Sequence, residues 1–74
     1  MFPNYLRSQN TETSRFVFWQ TGHYKYQIEM YDRDTGKLIV RLNRCKSYED
    51  VSRQFDTMVN EVIESEEQGV FFKN

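Results

Sequence analysis

The sequence predicts an α+β fold: a three-stranded antiparallel β-meander with one C-terminal α-helix packed on one of its faces. Three observations carry that expectation. The run from His23 to Arg44 alternates apolar and polar residues on both sides of a turn-rich centre. The run from Arg15 to Gln20, RFVFWQ, is dense in β-branched and aromatic residues, which suit a pleated, half-buried surface. From Ser47 onward the apolar residues recur at spacings of three and four, the period of a helix with one buried stripe.

The first seven residues hold Phe2, Tyr5 and Leu6 around Pro3, and Ser8 to Ser14, SQNTETS, is polar and aperiodic. Residues 1–14 therefore read as an N-terminal arm and flexible linker, and residues 15–74 as a single domain. The arm's large apolar side chains favour docking, either onto the domain or onto a partner. Arg15 to Gln20 forms the first strand, with Phe16 and Phe18 on one face and Val17 and Trp19 on the other. The alternation does not say which pair faces the core. Thr21-Gly22 supplies a hairpin turn.

In the second strand Tyr24, Tyr26, Ile28 and Met30 point one way, and Lys25, Gln27, Glu29 and Tyr31 the other. Asp32, Arg33, Asp34, Thr35 and Gly36 give turn chemistry, with Gly36 suited to a positive φ. The third strand places Leu38, Val40 and Leu42 on one side and Lys37, Ile39, Arg41 and Asn43 on the other. Ser47 caps the helix, Glu49 and Asp50 meet the positive end of its dipole, and Ser47-x-x-Asp50 resembles a capping box. The helix runs to about Glu67, with Gly69 as a stop. Its acidic end (Glu64, Glu66, Glu67) opposes the dipole, which predicts fraying. Val70, Phe71 and Phe72 pack back on the core or form a short edge strand. The expected core is Tyr26, Ile28, Met30, Leu38, Val40, Leu42, Val51, Phe55, Met58, Val59 and Val62.

Composition narrows the function classes. Seventy-four residues lie near the lower limit for a core that folds unaided. Twelve aromatics compensate, and homodimerisation would bury any surplus. One cysteine and one histidine allow no internal disulfide and none of the usual metal clusters. Cys45 lies beside Lys46 and near Arg44, the basic surroundings of a reactive thiol, but a small strand-end side chain is the commoner reading. DRDTG lacks the later ligands of a calcium loop, and no phosphate-binding glycine loop or nucleophile elbow is present. The N-terminus lacks the pattern of a signal peptide, and no run is long enough to span a membrane. The expectation is a non-enzymatic, cofactor-free protein of the reducing cytoplasm.

Charge is segregated. Residues 1–46 carry eight Lys/Arg and four Asp/Glu, whereas residues 47–74 carry two and seven. Such asymmetry points to partners. On the polar sheet face Lys25, Gln27, Lys37, Arg41 and Asn43 have the chemistry to contact phosphates and base edges.

The run from Gly22 to Val62 resembles the arm-type DNA-binding domain at the N-terminus of tyrosine recombinases. The resemblance rests on Gly22, Tyr24, Tyr26, Ile28, Asp32, Thr35, Gly36 and Lys37. It implies a three-stranded sheet with a helix and DNA contacts from Lys25, Gln27, Lys37 and Arg41. The chain departs from the pattern in its slight net acidity and in Leu38-Ile39-Val40 on the third strand. The other reading, weighted more heavily, is a protein-binding regulator or inhibitor in the style of phage and mobile-element proteins. Its contacts would be Trp19, Tyr31, Ile39 and Arg41 on the sheet, or the acidic helix face with Glu61 and Glu64.

Overall fold

The computed structural model describes residues 1–69; the expectation for residues 70–72 falls outside them. Five elements follow one another: β1 (Asn4–Asn10), β2 (Ser14–Gly22), β3 (Lys25–Asp32), β4 (Leu38–Arg44) and α1 (Tyr48–Glu67). The strands form one antiparallel sheet in the order β1-β2-β3-β4, and α1 packs across one face. The α+β class is as predicted, but the sheet has four strands, not three.

The extra strand is the stretch expected to be an arm and linker. β1 pairs along β2 from Asn4 opposite Gln20 to Asn10 opposite Arg15, with a bulge between Tyr5 and Arg7. That bulge explains why the strand is hard to recognise. It breaks the period of two, so Leu6 and Arg7 both reach the helix side while Tyr5 turns away. Leu6 packs on the core. The Arg7 guanidinium sits 4.5 Å over the Phe55 ring and pairs with Asp56 of α1. A cation over an aromatic face is favourable, and here it ties the N-terminal strand to the helix. Of the supposed linker, only residues 11–13 lie between strands, in a tight turn flanked by the buried Thr11 and Ser14. Ser14 N–H donates to Thr11 Oγ1 at 3.1 Å, and Thr11 N–H to Ser14 O at 2.8 Å.

Phe16 and Phe18 face the helix, with Tyr26, Ile28 and Met30 beside them and Val51, Phe55 and Val59 above. Phe18 stacks on Phe55 at 5.5 Å, and Phe16 meets the same ring edge-on at 6.1 Å. Burying each of these side chains stabilises the fold by roughly 1.5–3 kcal/mol, so three phenylalanines are a large share of a small core. Val40, Met58 and Val62 join it as partly buried neighbours.

Leu38 does not. A bulge between Met30 and Tyr31 pairs Val40 with Met30 but Leu38 with Tyr31, leaving Ile39 as the extra residue. Leu38 thereby shares the helix-free face with Tyr31, and it is 41% exposed. Leu42 keeps its place opposite Ile28 but stays half-buried, because α1 lies over β2 and β3 rather than over the outer strand.

The turn between β2 and β3 also sits later than expected. Thr21 and Gly22 remain in β2, and His23 and Tyr24 make the turn. Tyr24 has φ of 55° and is exposed, so it leaves the apolar stripe. The next turn is as read: Asp32 Oδ1 accepts from the backbone N–H groups of Asp34 and Thr35, and Gly36 has φ of 76°. Ser47 caps α1 by accepting from Asp50 N–H, Gln68 is the C-cap, and Gly69 follows with φ of 72°.

The acidic C-terminal end of α1 has a use the dipole argument does not foresee. Glu66 accepts hydrogen bonds from both hydroxyls and both backbone N–H groups that the β1–β2 turn aims at it. The partners are Thr11 Oγ1 (2.7 Å), Thr13 Oγ1 (2.5 Å), Thr13 N–H (2.9 Å) and Glu12 N–H (3.2 Å). Burial raises the Glu66 pKa, but the Thr13 and Thr11 hydroxyls and these N–H groups outweigh it, and the net shift is downward. The last turn of the helix is latched rather than frayed.

Candidate binding face

With the helix on one side, the other side of the sheet is open. Period-two alternation places Val17 and Trp19 of β2, Gln27, Glu29 and Tyr31 of β3, and Arg41 and Asn43 of β4 on it. Their cross-strand partners are Val17 with Glu29, Trp19 with Gln27, Glu29 with Arg41, and Gln27 with Asn43. Tyr5 of β1, opposite Trp19, completes the row.

At the centre is Glu29, only 5% exposed although it lies on the solvent side. A buried carboxylate is costly unless it is paired and hydrogen-bonded, and Glu29 is both. Its Oε1 accepts from the Trp19 indole Nε1–H at 2.9 Å. Its Oε2 accepts from Arg41 Nε at 2.9 Å, with Arg41 Nη2 at 2.8 Å. Charge-assisted contacts of this kind fix geometry as well as adding energy. Tyr5 packs edge-on against Trp19 at 5.7 Å. The Tyr31 phenol is pushed up by loss of solvation and then by hydrogen bonding and charge from Glu29, with Arg41 acting against it. The Arg41 guanidinium is held charged above its ordinary value, chiefly by its hydrogen bond to Glu29. Tyr5, Trp19 and Tyr31 wall a hollow of about 550 Å³ with Glu29 at its base and Arg15 and Arg33 in its lining.

The structure thus brings together three of the sequence-predicted contact residues, Trp19, Tyr31 and Arg41, and sets Gln27 and Asn43 beside them. It separates the others. Lys25 starts β3 next to the β2–β3 turn, whereas Lys37 precedes β4 at the opposite end of the sheet. Ile39 belongs to the helix side, where with Glu61 it lines a different cavity. Glu64 is exposed on α1.

Glu29 and Tyr5 went unrecognised. For Glu29 a signal existed: once the Asp32–Gly36 turn closes the hairpin, Glu29 falls opposite Arg41, an opposite-charge cross-strand pair. For Tyr5 there was none, because its position depends on a strand whose alternation the bulge hides.

Among the described residues no helix is long and apolar enough to cross a membrane. Comparison of the chain with protein-family models, with curated proteins and with solved structures finds no match.

Proposed function

We propose that the protein is a small non-enzymatic regulator or inhibitor that occupies the surface of a partner protein with the open face of its sheet. The observation that carries this reading is the Trp19–Glu29–Arg41 network. Trp, Tyr and Arg are the residue types that dominate binding energy at protein interfaces. Side chains already locked in place lose less entropy on association. Here an indole and a guanidinium are held from below by one buried carboxylate, and Tyr5 and Tyr31 flank them. The Glu29 carboxylate orients both groups above it.

The nucleic-acid reading has less support from the same geometry. Affinity for nucleic acid comes largely from neutralising phosphates, and the Arg41 charge is already answered by Glu29. Gln27 Nε2 donates to Asn43 Oδ1 at 3.0 Å, so two of the groups expected to read base edges are bonded to each other. Of the groups expected to contact nucleic acid Lys25 and Lys37 remain, at opposite ends of the sheet, and Arg15 and Arg33 line the hollow.

Affinity capture with the intact chain, a Trp19→Ser/Arg41→Glu variant and a Glu61→Lys/Glu64→Lys variant tests the proposal. The first variant should lose the partner that the intact chain and the second variant retain. Salt-sensitive binding to random-sequence DNA that Lys25→Glu/Lys37→Glu abolishes would favour the nucleic-acid reading. Loss of the partner only in the Glu61/Glu64 variant would move the site to the helix.

A further inference from the structure

The helix side of the sheet is incompletely covered. Because α1 lies over β2 and β3, a groove of about 680 Å³ opens between the helix and β4. Its floor is apolar: Phe16, Met30, Ile39, Val40, Met58 and Val62. Ile39, the extra residue of the β4 bulge, is 51% exposed at its margin. Isolated exposed apolar side chains need no explanation, but a contiguous concave apolar surface of this size is the form of a binding site.

The rim has one sign of charge. Glu12 from the β1–β2 turn, Asp32 and Asp34 from the β3–β4 turn and Glu61 from α1 all line the groove, with no Lys or Arg among its lining residues. Asp32 is committed to its turn through the Asp34 and Thr35 N–H groups. The carboxylates of Glu12, Asp34 and Glu61 make no ion pair among the described residues. Beside them runs β4, an outer strand of the sheet among the described residues.

We propose that this groove docks an extended peptide segment of a partner protein in which large apolar side chains alternate with Lys or Arg. The apolar side chains enter the groove over Ile39, Val40 and Met58, and the cations meet Glu12, Asp34 and Glu61. Charge complementarity selects this occupant over an acidic or purely apolar one.

Fluorescence anisotropy with labelled hexapeptides tests it, using one that alternates Phe and Lys and one that alternates Phe and Glu. The basic peptide should bind the full chain at least about tenfold more tightly than the acidic one, the discrimination expected of complementary charge. Both Ile39→Ser and Asp34→Lys/Glu61→Lys should weaken it about as much, and Tyr24→Asn in the exposed β2–β3 turn should leave it unchanged. Ile39, Asp34, Glu61 and Tyr24 are all solvent-exposed, so these substitutions leave the buried core untouched. Equal binding of the two peptides, or indifference to Ile39 and Glu61, overturns the proposal. So does a concentration-dependent dimer that Ile39→Glu dissociates with no peptide binding, which would assign the groove to a second copy. Binding that appears only after Phe71→Ser/Phe72→Ser overturns it as well, and would assign the groove to the chain's own last residues.

Discussion

Glu29 illustrates how one side chain can serve both the fold and the surface. Removing its carboxylate leaves the Trp19 indole N–H without an acceptor and the Arg41 guanidinium without its partner. Glu29→Ala should therefore destabilise the protein by roughly 1–3 kcal/mol, the usual cost of orphaning a buried hydrogen-bonded group. Urea unfolding followed by the fluorescence of the single tryptophan measures it, and Glu29→Gln should recover part of the loss by keeping an acceptor for the indole. Glu66 makes a pH prediction. Its native pKa is lowered, so the unfolded chain takes up its proton first as the solution is acidified. The stability Glu66 contributes is complete above the ordinary carboxylate value and is lost as pH falls through the lowered native one. Stability measured from pH 6 down to pH 3 should fall less steeply in Glu66→Gln than in the intact chain. Glu66→Gln should also cost about 1 kcal/mol at neutral pH, comparable to a lost helix cap. An unchanged slope would mean that the four hydrogen bonds to the turn are not formed in solution.

At the scale of elements, legibility followed the regularity of the pattern. The helix could be read to within a residue because its signals are local: a serine cap, two acids in the first turn, an unbroken stripe and a glycine stop. The β3–β4 hairpin was legible in its turn and in the Tyr26-Ile28-Met30 face. It was misread at Leu38, because a bulge changes faces without changing composition. β1 was missed because its inward positions are Leu6 and Arg7 in succession, and an arginine packed on Phe55 does not look like a core residue in a sequence. The distinction between a strand and an arm is measurable. Amide hydrogens of the β1 residues bonded to β2 should exchange slowly, together with those of β3, whereas a linker would exchange at the unprotected rate. Phe55 holds the helix to the sheet through contacts with Phe16, Phe18 and Arg7. Phe55→Ala should cost about 3–5 kcal/mol, enough in a domain this small to abolish the cooperative thermal transition seen by near-ultraviolet circular dichroism.

For the molecule as a whole, the sheet carries most of the positive charge and the helix most of the negative. The charge count anticipated this segregation, but the two surfaces it produces depend on where the helix lies. One is an aromatic and cationic face organised by Glu29, and the other an apolar groove with an acidic rim. Neither could be located before the faces were assigned, since the Val17/Trp19 and Phe16/Phe18 alternatives were equivalent in sequence. The two surfaces lie on opposite sides of the sheet, so the two proposals are tested separately.

Docking of a protein partner on the open face has its sharpest probe in the Trp19 indole. As the single tryptophan it contributes one indole N–H resonance to a ¹⁵N–¹H correlation spectrum, already hydrogen-bonded to Glu29. Adding the captured partner should shift or broaden that resonance along with the Tyr31 and Arg41 amides, while those of Glu61 and Glu64 stay in place. An indole peak that does not move while the helix amides do would contradict the account.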